Sequence, residues 1–386
     1  MARHTRSVDE HVDSAREKVK RLLASPLTAI AEKLGRDLDE GECAYRAGSL
    51  SADKLGELCS YVSYIFNNLP RSFGERFYFD ADMIRAAADD WGGSMALSGM
   101  VLPCYGQDWG HARLQMPSEG EERAHVIDLI VFPGEDRLED VDLLSYPLLA
   151  HELGHYLYLK NDSSFAGPFT ICLNKTVRSL RRSGIADRGA MRPKFQQVIE
   201  ELTRCWTPSP DHGNWAHELA IDLTALWTCG PSYLACFEDS VRGKDPFRIT
   251  RDHPPYAVRL DALVSCARKL GFGNDCEGLG TLRAGWEATL KKEREGNLFL
   301  ALANRELIAG CSRAALGLCE ALRLTRCSAS RIETLRRTVK GELVAEPGVD
   351  LLLKAWLYAK KGRTAYDSWQ RATVQRIAKD VMQLSR

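Results

Sequence analysis

Apolar positions recur at helical spacing from Val8 to Leu34. A second stretch, Asp53 to Phe66, sets Leu55, Leu58, Val62 and Ile65 on one face before Asn67-Asn68-Leu69-Pro70 closes it. From about Arg76 the period changes. Phe77-Tyr78-Phe79, Met95 to Leu102, Ala112 to Met116 and Val126 to Phe132 read as short strands between Gly-rich and Pro-rich turns, so a small sheet is expected over 76–134. Pro133-Gly134-Glu135-Asp136 breaks the last strand, and an acidic linker through Asp142 leads into a helix predicted from about Ser145 to Lys160. Its first turn accommodates Pro147, because the amide missing there would have no intrahelical partner anyway.

Beyond that helix the pattern predicts helices over Thr170 to Ser183 and Arg192 to Trp206, then one over Trp215 to Trp227 that is apolar almost all round. After Asp275 the chain reads as helical throughout, over Leu279 to Glu295, Leu298 to Leu324, Ser330 to Val344 and Leu351 to Leu384, with Gly and Pro mainly at the joints. The expected class is α+β, mostly α-helical. A helical N-terminal region (1–75) precedes a core (76–275) that holds the sheet and the helices over 143–265, and a helical C-terminal region (276–386) follows.

The chemistry concentrates in His151-Glu152-Leu153-Gly154-His155, flanked by the apolar runs Tyr146 to Ala150 and Tyr156 to Leu159. Histidines four apart project from one helical face about one turn apart, so both imidazoles can reach one metal ion while Glu152 points toward the same cleft. Chance would produce His-Glu-x-x-His in roughly one or two per cent of chains with this many histidines. The setting argues further: three titratable side chains in an otherwise apolar helix are costly to bury unless a cation or another partner satisfies them.

Two histidines leave zinc short of ligands. In Trp215 to Trp227, Glu218 and Asp222 lie four apart on one face. Glu218 as third ligand, with Asp222 accepting from the other nitrogen of a ligand histidine, gives both buried carboxylates a role. A salt bridge to a nearby arginine is the alternative. His217 is a rival ligand, but it lies about 100° round the helix from Glu218 and shares no stripe with Asp222. Further on, His253-Pro254-Pro255 forms a rigid turn into a helix whose early turns carry Tyr256 and Arg259. His253 there is either a hydrogen-bond donor to a substrate carbonyl or a capping residue.

Composition narrows the classes. The 386 residues carry 52 Lys and Arg against 52 Asp and Glu, so the global balance points to no nucleic acid, anionic membrane or polyanionic substrate. The N-terminal residues lack an apolar signal core and no apolar run approaches a membrane span, which leads to the expectation of a cytoplasmic protein without membrane contact. Twelve cysteines are scattered with no Cys-x-x-Cys pair, which favours buried free thiols over a disulfide framework. Arg178, Arg181, Arg182, Arg188, Arg192 and Lys194 form the most basic stretch, read either as a solvated face or as a dock for an acidic partner. The run from Arg323 to Lys340 lacks interleaved aromatics and reads as a solvated face.

With these pieces together, the chain resembles the gluzincin metallopeptidases, in which a His-Glu-x-x-His helix is followed by a helix bearing Glu-x-x-x-Asp. Within them it looks most like a soluble relative of the CAAX prenyl endopeptidase and heat-shock peptidase family. The matching residues are His151, Glu152 and His155, then Glu218 and Asp222, then His253-Pro254-Pro255 with Arg259 and Leu260, and the match runs from about Leu143 to Leu263. The resemblance implies a zincin-like core, zinc on His151, His155 and Glu218, Glu152 as general base, His253 at the reacting carbonyl, and Arg259 behind the ligands with Asp222. That family is typically membrane-embedded and this chain has no span, so prenylated or membrane substrates do not carry over. The small intracellular peptidases that cleave phage repressors are a second resemblance, through His-Glu-Leu-Gly-His-Tyr-Leu.

The expected function is zinc-dependent endopeptidase, hydrolysing a protein or peptide substrate, with the helical termini left for a protein partner. A catalytically silent zinc-stabilised scaffold or regulatory binding protein is the rival class.

Overall fold

The structure, a computed structural model, describes residues 8–23, 28–68, 75–91, 100–115, 126–135, 137–182, 192–208, 214–292, 303–338 and 346–384. The chain divides into two compact units. Met1–Ile84, Leu97–Val141 and Val374–Arg386 make the first, and Arg85–Ala96 with Asp142–Thr373 makes the second. This differs from the grouping expected from sequence, which joined the sheet to the motif helices.

The first unit starts with helices α1 (Val8–Leu23), α2 (Thr28–Arg46) and α3 (Ala52–Asn68), and α4 (Glu75–Asp90) begins within it. The single amphipathic run expected over Val8 to Leu34 is thus two helices, and residues 24–27 lie outside the described residues. A three-stranded sheet follows, made of β1 (Met100–Gly106), β2 (Gly110–Gln115) and β3 (Val126–Pro133) in the order β1-β3-β2. β1 runs parallel to β3 with Leu102 opposite Leu129, and β2 runs antiparallel to it with His111 opposite Ile130. Leu102, Cys104 and Leu129 bury into one cluster with Val12, Ala15, Val19, Leu34, Leu38, Leu55, Cys59 and Val62 of the first three helices. Burial of this apolar face is why the sheet belongs with the N-terminal helices.

Phe77-Tyr78-Phe79 is helical, not the strand expected from its aromatic run. Buried Phe77, Asp80, Ile84, Ala87 and Trp91 recur every three or four positions, so packing at helical spacing overrides local β-propensity. Arg76, fully buried, anchors this helix by pairing with Asp80 and donating to the carbonyls of Pro133 (2.9 Å) and Glu135 (2.6 Å). Of the strand expected over Met95 to Leu102, residues 95–99 lie outside the described residues, as does Met116 of the next.

The second unit is helical. It contains α5 (Pro147–Arg182), α6 (Arg192–Trp206), α7 (Trp215–Cys229), α8 (Pro231–Val241), α9 (Tyr256–Leu270), α10 (Glu277–Lys292), α11 (Arg305–Ala321), α12 (Ala329–Thr338) and α13 (Val349–Ala359), and the first half of α14 (Arg363–Leu384). Every residue of α7 is buried, and α5, α8, α9 and α11 pack around it. Its all-round apolar pattern is that of a central helix.

Boundaries in the second unit also differ from expectation. The motif helix continues past Lys160 to Arg182, broken only at Asn161 (φ −118°, ψ 21°), so the helix expected separately over Thr170 to Ser183 is its continuation. No element was expected between Trp227 and Arg251, yet α8 lies there. Gly230 takes φ 54° and Pro231 opens the new helix, so a dipeptide that reads as a stop is also a start. The long C-terminal helix is two, split where Gly362 adopts φ 122°.

The fold is therefore mostly helical with one small sheet. Among the described residues no helix is long and apolar enough to cross a membrane. All twelve cysteines are free, most of them buried.

Candidate metal centre

Helix α5 is delivered by a fixed lead-in. The Tyr366 hydroxyl on α14 donates to Asp142 (2.7 Å) and accepts from the Leu144 amide (3.2 Å), while Gln370 accepts from the Leu143 amide (2.8 Å). The C-terminal helix thus holds Asp142, Leu143 and Leu144, just ahead of the motif helix.

α5 and α7 then approach closely. A Cβ on Gly154 would stand 2.7 Å from Cγ2 of Ile221, so the glycine inside the motif is what lets the two backbones come together. Tyr158 adds a polar tie, donating to the Ala220 carbonyl (3.2 Å) beside the Thr224 hydroxyl (3.1 Å). Asn214 caps α7, its side chain accepting from the amides of Ala216 and His217.

This packing brings His151, His155 and Glu218 together, with one ligand atom from each within 4.8 Å of the others. Glu218 Oε2 is 3.5 Å from His151 Nε2, and Oε1 is 3.7 Å from His155 Nε2. Glu152 is buried alongside, its Oε2 4.0 Å from His155 Nε2. His151 is 6 % exposed and Glu218 1 %, whereas the His155 side chain keeps 25 % of its surface open.

Behind the ligands, Asp222 Oδ1 lies 3.0 Å from His151 Nδ1. Arg259 grips both Asp222 oxygens at 2.6 Å, and the Tyr233 hydroxyl donates to Oδ1 at 2.5 Å. Asp222 thus serves both readings of the sequence at once, as acceptor for a ligand histidine and as partner of a buried arginine. A carboxylate held ionised by three donors is an acceptor for a proton on His151 Nδ1, which leaves Nε2 free to bind a metal once the ring is neutral.

The electrostatics suit a cation. Burial alone would lower the His151 pKa, but the Asp222 and Glu218 carboxylates outweigh it and raise it to about 10. Burial would raise Glu218, yet His155 and His151 bring it down to about 2. Asp222 is held well below the usual carboxylate range, against burial, by Arg259 and His151. Three buried carboxylates (Glu152, Glu218, Asp222) face one buried guanidinium (Arg259), leaving two formal negative charges when the histidines are neutral. Glu218 Oε2 is buried without a hydrogen-bond partner among the described residues. A buried carboxylate oxygen without a hydrogen-bond partner, in a site that is net negative once its histidines give up their protons, fits a divalent metal ion.

Comparison with protein-family models, with curated proteins and with solved structures finds no match. Coordination chemistry therefore carries the functional reading.

The remaining expected residues fall as follows. His253 is brought to the site, with Nε2 3.7 Å from Glu218 Oε2 and 60 % of its side chain exposed. Its backbone is locked by the Thr250 hydroxyl, which donates to the His253 carbonyl and accepts from its amide. Tyr256 is turned to Arg259 and Lys244, its ring centroid 5.9 Å from the guanidinium carbon. His217, the rival ligand, points instead to Asp162 and Asn214. Tyr233 was not expected at all; an aromatic in an apolar stretch after Gly-Pro carries no sequence signal for a hydrogen bond to Asp222.

Proposed function

We propose that this protein is a zinc-dependent endopeptidase, with His151, His155 and Glu218 holding the metal and Glu152 as general base. One observation carries the reading: three ligand atoms converge within 4.8 Å, with Glu152 buried beside them. Zinc bound there would polarise a scissile carbonyl and lower the pKa of its bound water. The Glu152 carboxylate would take a proton from the attacking water and hand it to the leaving amine. His253, exposed 3.7 Å from Glu218, would donate a hydrogen bond to a substrate oxygen. Asp222, Arg259 and Tyr233 hold His151 in its ligating tautomer.

A zincin-like core and kinship with the gluzincins belong to the same proposal. They are supported by the meeting in space of three motifs far apart in sequence: His-Glu-x-x-His, Glu-x-x-x-Asp and the His253 turn with Arg259. The substrate class proposed is protein or peptide.

The near-complete burial of His151 and Glu218 favours a second reading, a silent zinc-stabilised scaffold. Three protein ligands and a partly open His155 favour the enzyme, since structural zinc is held by four. Zinc stoichiometry of wild type and Glu218→Ala, alongside cleavage of a diverse peptide mixture, decides between them. One zinc and peptide turnover are expected for wild type, with both lost in the variant. Stoichiometric zinc without cleavage would establish the scaffold, and full zinc content in Glu218→Ala would refute the third ligand.

A further inference from the structure

The catalytic reading leaves one buried histidine without a role. His217 sits one residue before Glu218, half-enclosed by the rings of Tyr158 and Phe165 at centroid distances of 6.1 and 5.3 Å, with a side chain only 10 % exposed. Both of its nitrogens are used. Asn214 commits its oxygen to the amides of Ala216 and His217, so its NH2 group faces His217 Nδ1 at 2.9 Å and must donate to it. The imidazole proton is thereby placed on Nε2, which donates to Asp162 Oδ1 at 2.9 Å.

Asp162 is the first residue after the break in α5 at Asn161, where the Asn161 side chain takes over the Leu157 carbonyl at 2.9 Å. The chain Asn214–His217–Asp162 therefore joins the N-cap of α7 to the break that ends the motif segment of α5. On the far side of Glu218, Tyr158 ties α5 to the Ala220 carbonyl. Glu218 lies between these two ties, and the Asp222–His151 contact adds a further α7–α5 link one turn on. A slide or rotation of α7 against α5 would swing its carboxylate out of reach of one imidazole, because neighbouring residues on a helix differ by about 100°.

We infer that His217 and Asp162 are positioning residues that set the register of α7 against α5 and so place Glu218 as the third metal ligand. The inference rests on the metal reading of the site and adds to it a hydrogen bond outside the coordination sphere that sets metal affinity. Groups that hydrogen-bond a metal ligand directly are worth about 10–100-fold in affinity at other metal sites, and this tie, which reaches Glu218 only through the helix backbone, is expected at the lower end of that range.

The test is zinc affinity, measured by competition with a chromophoric chelator, and the visible spectrum of the cobalt-loaded protein, for wild type, Asp162→Leu, Asp162→Asn and His217→Phe. Asp162→Leu and His217→Phe remove the hydrogen bond from either end, and Asp162→Asn keeps an acceptor. Expected are zinc affinities weakened about tenfold or more in the first two, with altered cobalt spectra, and near-wild-type values in Asp162→Asn. The double variant should lose no more than the worse single one. Affinities within twofold of wild type in Asp162→Leu and His217→Phe would overturn the inference while leaving the metal site standing, even if the metal-free variants melt at lower temperature. So would a loss in Asp162→Asn as large as in Asp162→Leu. Wild-type protein that binds no zinc would instead overturn the metal reading, and the inference with it. Should His217→Phe fail to fold, Asp162→Leu decides, since the Asp162 side chain is already 29 % exposed.

Discussion

His151 Nδ1 and Asp222 Oδ1 are buried 3.0 Å apart within the second unit, although 71 positions separate them in sequence. Arg259 and Tyr233 complete the carboxylate's shell. Replacing Asp222 by Ala therefore does two things. It frees the His151 tautomer, which should weaken zinc binding about 10–100-fold. It also leaves the Arg259 guanidinium buried and unpaired, at a cost of about 3–5 kcal/mol in stability. Chelator competition reads the first effect and urea denaturation of the metal-free protein reads the second.

Tyr233→Phe isolates one of those donors without disturbing packing. Loss of a hydrogen bond to a charged group should cost about 1.5–3 kcal/mol. Denaturant midpoints of the two metal-free proteins check this. An unchanged midpoint would mean that the hydroxyl contributes nothing to holding Asp222.

Gly154→Ala should destabilise by about 1–3 kcal/mol, because the added methyl meets Ile221 Cγ2 at 2.7 Å and a β-branched side chain in a helix cannot turn away. Ile221→Ala in the same chain removes the obstructing methyl. The two changes together should cost less than the sum of each alone, and thermal denaturation of the single and double variants measures that difference.

Much of this centre was legible because its parts are local. Histidines four apart announce a ligand pair on one turn, and carboxylates four apart on an apolar helix announce that something must neutralise them. Arg259 could be grouped with Asp222 only through a family resemblance, since 37 positions separate them and nothing local couples them. Tyr233 and the His217–Asp162 bond were illegible for the same reason: each depends on how α7 packs against its neighbours. The aromatic run at Phe77 misled because strand propensity is a property of short segments, whereas burial spaced along α4 decides its state.

Metal removal should lower stability as well as activity. A ligand that binds only the folded state stabilises it by about 2.7 kcal/mol at a hundredfold excess over its dissociation constant. Melting with and without EDTA, in wild type and in His155→Ala, checks this. The shift should be clear in wild type and absent in the variant.

The most direct test of the proposed activity is peptide hydrolysis by Glu152→Gln at matched zinc content. Glu152 lies beside the ligands, with Oε2 4.0 Å from His155 Nε2, and the amide that replaces it cannot accept the water's proton. Wild type should cleave, while Glu152→Gln should retain its zinc and lose turnover. Cleavage by that variant at the wild-type rate would contradict the account.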